Sequence, residues 1–158
     1  RLKLWIMGPW DEDEEYAKEC FELSETLGLS EDIEFTGRIN IKDYLGRMDM
    51  TILTSVSEGQ PLTILESYAA HKPVIATDFG PAGMITHIMN VEEIAKAMVE
   101  MAQKKEMRLA MGENGYRRVM AKYRVEYMQK TYWEIYRDFA NNMKLEWTEP
   151  PVVIPKEE

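Results

Sequence analysis

Between residues 2 and 103, short apolar runs alternate with helical stretches at the interval expected of βαβ units. Residues 2–7, 33–36, 50–54, 73–77 and 84–88 read as strands. The first is a mostly apolar run ended by Gly8-Pro9, which fits a strand buried in a parallel sheet and followed by a loop. Residues 13–27, 41–47, 62–70 and 91–103 read as helices. In the first of these, Tyr16, Cys20, Leu23 and Leu27 form the predicted apolar face, with acids crowded at the N-terminal end and Gly28 as the stop. In the last, Ile94, Ala95, Met98 and Met101 form it. The predicted class is α/β, a Rossmann-like parallel sheet flanked by helices.

Beyond residue 103 two further helices are predicted, 106–122 and 125–141, with a break at Tyr123 and Arg124. The second carries Tyr127, Tyr132, Trp133, Tyr136 and Phe139, which are expected to pack against the sheet or a neighbouring domain rather than to stack on bases. Residues 142–158, with Pro150, Pro151 and Pro155 in their final stretch, are expected to form an extended tail. Residues 1–141 are accordingly one predicted domain.

The stretch Glu58-Gly59-Gln60-Pro61-Leu62-Thr63-Ile64-Leu65-Glu66 carries the chemistry. Pro61 suits the first position of a helix, because its φ is preset and its missing N–H would have had no partner there. Gly59 allows the backbone to come close to a ligand, so the N–H groups after the turn can face an anion with the helix dipole behind them. Glu66 falls about a turn and a half into that helix, within reach of hydroxyls on a ligand whose phosphate rests at the N-terminus. A phosphorylated sugar or nucleotide offers both groups. The bland reading of the same residues is a surface helix with two solvated glutamates.

A chain of 158 residues, 45% hydrophobic and 30% charged, is long enough for one domain with a real core. Its net charge of −9 argues against a basic face for nucleic acid, so any phosphate must be gripped locally. The single cysteine, Cys20, can form no intrachain disulfide; its expected role is a small buried apolar residue, and a reducing, cytoplasmic setting is expected. No apolar run is long enough to span a bilayer. His71 and His87 lack acid or cysteine partners at zinc-site spacings, so no metal is expected. Phosphate-loop and dinucleotide fingerprints are absent, and Ser55 and Ser57 sit in no nucleophile elbow.

In chain order, Leu4-Trp5-Ile6-Met7-Gly8-Pro9, Phe35-Thr36-Gly37-Arg38, Asp49 to Ser55, Ser57 to Leu62 and Glu66 to Asp78 resemble the C-terminal half of retaining glycosyltransferases of family 4. Those enzymes have the GT-B fold of two facing Rossmann-like domains. Ser57-Glu58-Gly59-Gln60-Pro61-Leu62, Glu12 to Tyr16 and Glu19-Cys20 look closest to the branch that includes the Pel exopolysaccharide glycosyltransferase. The likeness covers residues 2 to about 137.

The resemblance implies a donor-binding domain for a nucleotide-sugar such as UDP-glucose, part of an enzyme that transfers a hexose to a glycan acceptor in polysaccharide biosynthesis. Glu58 and Glu66 match the family's Glu-x7-Glu motif. Glu66 would accept hydrogen bonds from both ribose hydroxyls. Glu58, the implied catalytic residue, would bond the transferred sugar. Gly59, Gln60, Pro61 and Leu62 would line the diphosphate or sugar, with Pro61 offering no N–H, and the loop at Gly37, Arg38 and Ile39 would touch the base mostly through main chain. No metal cofactor is implied, since helix dipole and basic side chains meet the departing diphosphate.

The family's domain begins with an earlier strand and helix bearing an Arg and a Lys, which this sequence lacks. A short helix and loop that the family has between Gly80 and Pro81 are also missing. The acceptor-binding N-terminal domain would be a required partner, so the chain alone is expected to be inactive. Other readings are a different GT-B sugar enzyme, an epimerase or phosphorylase, or a non-catalytic partner-binding module.

Overall fold

The computed structural model describes residues 1–77 and 83–145. Its backbone falls into two compact units, one of residues Arg1–Arg47 and one from Met48 onward.

The first unit runs β1 (Leu4–Met7), α1 (Glu14–Thr26), β2 (Ile33–Gly37) and the single turn α2 (Lys42–Leu45). β1 and β2 pair in parallel, with Leu4 opposite Ile33 and Ile6 opposite Phe35, and the register shifts before Met7 meets Gly37. α1 starts where Asp13 accepts a hydrogen bond from the Tyr16 N–H at 3.0 Å, and Glu14 and Glu15 sit in its first turn where the dipole favours them.

The predicted inner face of α1 is displaced. Tyr16, Leu23 and Leu27 are mostly exposed, whereas Ala17, Cys20 and Phe21 are partly covered and Ser24 is buried. The reason is the sheet: Phe21 meets Phe35 of β2 edge to face, ring centres 4.5 Å apart, and that contact sets which side turns inward. Cys20 is therefore only partly covered, not the buried residue expected.

The second unit contains β3 (Thr51–Leu53), α3 (Leu62–Ala69), β4 (Val74–Thr77), β5 (Met84–Thr86), α4 (Val91–Gln103), α5 (Lys105–Lys122) and α6 (Val125–Asn142). Its sheet has the order β3-β4-β5, all parallel, with Thr51 opposite Val74 and Ile75 opposite Met84. Every residue of β4 is buried, as a central strand covered on both faces must be. On one face Tyr68 of α3 and Val119 of α5 pack with Val74 and Ala76. On the other, Ile75 packs with Ala97 and Met101 of α4, and Met50, Met84, Met98, Met107 and Met111 close around them. The class is α/β with parallel sheets flanked by helices, as expected, although the pairing forms two ladders rather than one sheet.

Two glycines let α3 and α5 approach. A Cβ on Gly112 would strike the carbonyl of His71, and one on Gly115 would strike the Tyr68 ring. Two expectations are corrected here, for Pro61 and for α4. Pro61 is the N-cap of α3, at φ −70° and ψ 112°, rather than its first helical residue; the extended ψ turns the chain into the helix one residue later. In α4 the covered stripe is Ile94, Ala97, Met98 and Met101, and Ala95 is exposed because it lies off that i, i+3, i+4, i+7 row. In α6, Tyr127, Tyr132, Tyr136 and Phe139 keep about half their surface or more exposed, and the helix's buried residue is Ala140. Residues Asp78 to Ala82, with the Gly80–Pro81 junction, and the tail from residue 146 lie outside the described residues.

Candidate functional site

The carboxyl end of β3 leads directly into the Glu58 turn, the place where parallel α/β sheets present loops to ligands. Two side chains shape that exit. The hydroxyl of Thr77, buried at the end of the neighbouring strand β4, donates to the carbonyl of Ser55. The hydroxyl of Ser55 in turn donates to a carboxylate oxygen of Glu58 at 2.8 Å. A buried strand residue thus anchors the loop, and the loop's own serine orients the first glutamate. Glu58, Gly59 and Gln60 are exposed.

The turn then enters α3. Leu62 is 68% exposed, and Glu66, one turn further on, is exposed with no ion pair or side-chain hydrogen bond among the described residues. The inner side of α3 is tied down instead: Ser67 donates to the Thr63 carbonyl at 2.7 Å and accepts from Thr51 of β3 at 2.9 Å. The structure therefore brings Glu58, Gly59, Gln60, Pro61, Leu62 and Glu66 together on one exposed turn and helix start.

Arg38 and Ile39 belong to the first unit. Gly37 ends β2 at φ +69°, a left-handed conformation that favours glycine, and the Trp10 ring lies against it. Arg38 is exposed and its guanidinium donates to Glu12 at 2.8 Å, so its charge is already matched by a carboxylate. Ile39 is partly covered.

A cavity of about 370 Å³ opens beneath the turn, lined in part by Gly59, Gln60 and Pro61. Neither Glu58 nor Glu66 lines it. Its inner wall is formed by Ile64, Leu65 and Tyr68 from the opposite side of α3, with Arg118 and Val119 from α5. The sequence reading missed Arg118 and Tyr68; the i, i+1, i+4 spacing of Ile64, Leu65 and Tyr68 marked a covered face, but nothing local paired it with α5.

Both histidines have an acidic partner, His71 with Glu113 at 3.1 Å and His87 with Glu93 at 2.9 Å. Among the described residues no cluster of three or more His, Cys, Asp or Glu is placed to hold a metal ion. No helix among them is long and apolar enough to cross a membrane.

Comparison with known proteins bears on the family and the fold. The family profile described as Glycosyl transferases group 1 matches residues 1–104. The lipopolysaccharide core biosynthesis glycosyltransferase LpsE of Rhizobium meliloti (strain 1021) is 24% identical over 142 residues, 84% of this chain and 41% of LpsE. The C-terminal domain of LpcC, a glycosyl transferase group 1 family protein of Francisella tularensis, superposes with a TM-score of 0.67 at 25% identity, over 72% of this chain and 65% of that one. Anabaena HepE in complex with UDP superposes with a TM-score of 0.73 at 19% identity, over 90% of this chain and 41% of HepE, and its complex with UDP-glucose does so at 0.72. The chain thus spans about two fifths of the length of LpsE and of HepE. With the family profile matching about two thirds of its length, the chain belongs to the glycosyl transferases group 1 family.

Proposed function

We propose that this chain is the donor-binding part of a retaining, family 4-like glycosyltransferase that takes a nucleotide-sugar, UDP-glucose or a close relative, and passes its hexose to a glycan acceptor in polysaccharide biosynthesis. The observation that carries the reading is Glu66: an exposed carboxylate without a partner among the described residues, one turn inside a helix whose entrance is the exposed Gly59-Gln60 turn at the carboxyl end of β3. An ionised carboxylate there can accept from two vicinal ribose hydroxyls while the N–H groups that open α3 face the diphosphate. Glu58, oriented by Ser55, would bond the transferred sugar. LpsE acts in lipopolysaccharide core synthesis and HepE binds UDP and UDP-glucose, which supports the substrate class. An exopolysaccharide product, as in the Pel branch, and a cytoplasmic setting are part of the same reading.

In this reading the N–H groups and helix dipole carry the diphosphate charge without a divalent ion. Base contacts come from the loop at Arg38 and Ile39, mainly through main chain. Transfer needs an acceptor-binding domain beyond this chain, and the departing diphosphate assists deprotonation of the incoming hydroxyl.

Titration with UDP, followed by amide chemical shifts, tests the proposal. UDP should move the Gly59, Gln60 and Leu62 amides, and Glu66→Ala should weaken binding about tenfold, the loss expected of charge-assisted hydrogen bonds. If neither UDP nor GDP moves those amides at millimolar concentration, the chain is better read as a partner-binding module.

A further inference from the structure

In the first unit the two strands end side by side. Met7 lies opposite Gly37, and the Gly8 N–H donates to the Gly37 carbonyl at 3.1 Å. The loops that follow therefore leave together at the carboxyl end of the ladder, where parallel α/β units receive ligands. Trp10 stands on the first of these loops, and Arg38 opens the second.

A glycine seats the Trp10 ring. A Cβ on Gly37 would come within 3.1 Å of Cη2 of the indole and within 3.4 and 3.5 Å of the two carbons beside it. Distances so nearly equal place that point over the plane of the ring, not beyond its edge. Any other residue at Gly37 would push the indole away, and the φ of +69° disfavours one as well. Phe21 holds the ring from another side in a T-shaped contact, ring centres 6.0 Å apart. Even so, 44% of Trp10 remains exposed, and its indole N–H has no hydrogen-bond partner among the described residues.

Other aromatic rings of this unit are engaged within it. Trp5 donates to Glu34 at 2.8 Å and lies under the Arg47 guanidinium, and Phe21 packs on Phe35. Arg38, the residue after Gly37, is held by Glu12 at 2.8 Å and so is not free to offer its guanidinium as a flat cation. Trp10 is the ring at the strand ends with a fixed seat, an open part and an unused N–H.

We propose that Trp10 is the platform on which the nucleobase of the sugar donor stacks, a side-chain contact that adds to the main-chain contacts of the Arg38 and Ile39 loop. This rests on the donor-binding reading above and names the group that receives the base. A base offers a flat π-face to the indole. The indole N–H, in the plane of its own ring, is left for an oxygen of the attached ribose phosphate. Stacking accepts any base, so Trp10 supplies affinity, and the choice between uracil and guanine falls to hydrogen bonds from the loop.

The test titrates the full chain with UDP and, as a probe without a base, inorganic pyrophosphate, followed by nuclear magnetic resonance. UDP should move the Trp10 indole N–H and the Gly37 amide, and the uracil ring protons should shift upfield in the ring current of the indole. Trp10→Leu should weaken UDP binding about tenfold, as loss of a stacking partner does, and leave pyrophosphate binding, read at the Gly59 and Leu62 amides, unchanged. Trp10→Phe should keep part of the UDP affinity. A ring that only covers Gly37 would make Trp10→Leu weaken both probes equally, or neither, and either result overturns the assignment. If UDP moves Gly59 and Leu62 while the Trp10 indole and the uracil protons stay silent, the platform is overturned and the donor reading stands; if UDP moves none of them, both fall. Should Trp10→Leu not fold or pyrophosphate not bind, the indole and uracil signals of the parent chain decide.

Discussion

The ring of Tyr68 lies directly on the backbone of Gly115, so close that a Cβ there would overlap three ring atoms. This one contact sets the spacing of α3 and α5, and it also delivers the Tyr68 hydroxyl to Gly83. The same missing methyl recurs one turn earlier at Gly112, against the His71 carbonyl.

Gly115→Ala is expected to destabilise the second unit by about 1–3 kcal/mol, the usual cost of forcing extra volume into a packed interface. Denaturant unfolding followed by circular dichroism measures it. An unchanged midpoint would mean that the two helices can part without cost.

Asp13→Ala should cost about 1 kcal/mol in the first unit through loss of the helix cap to the Tyr16 N–H. Amide exchange in the first turn of α1 should quicken while exchange in β2 stays the same.

Stability should fall in acid partly through Glu93. The main-chain N–H of His87, then its ring, hold the Glu93 carboxyl below its ordinary value of 4.5, against a smaller desolvation effect. A depressed folded-state pKa contributes stability that is complete above 4.5 and is lost as pH falls through the lower, folded value. Glu93→Gln should therefore show a shallower loss of stability below that pH than the parent chain. Parallel slopes would rule the contact out as a contributor.

The chain of hydrogen bonds from Thr77 to Ser55 to Glu58 predicts a graded effect on transfer in the complete protein. Glu58→Gln should lower kcat on the order of 100-fold if its carboxylate meets the sugar in the transition state. Ser55→Ala should lower it less, and the double variant should be no worse than Glu58→Gln, because the serine acts only through the glutamate. Additive losses would show that Ser55 acts independently. Chelation with EDTA should leave transfer unchanged.

Much of the fold was legible because its signals are local. The recurrence of Ile94, Met98 and Met101 marks a helix over residues 91–103, and α4 occupies that range; the structure adds its cap, the Asn90 side chain accepting from the Glu93 N–H at 3.1 Å. Residues 73–77 read as a strand, and β4 (Val74–Thr77) is that strand, its burial on both faces being a finding of the structure. The inner face of α1 was misjudged because Leu23 and Leu27 are apolar yet exposed, and only the contact between Phe21 and Phe35 fixes the rotation of that helix.

The sequence by itself determined the α/β class, the order of strands and helices, and the Glu58-to-Glu66 segment at the end of β3, since periodicity, turn residues and motif spacing are properties of neighbours along the chain. Tertiary structure decided what those neighbours could not: the Thr77 anchor on Ser55, the seat of Tyr68 on Gly115, and the placing of Tyr68 and Arg118 on the wall of one cavity. These depend on contacts between residues separated by 22 to 50 positions, and such contacts exist only once burial has brought α3, β4 and α5 together.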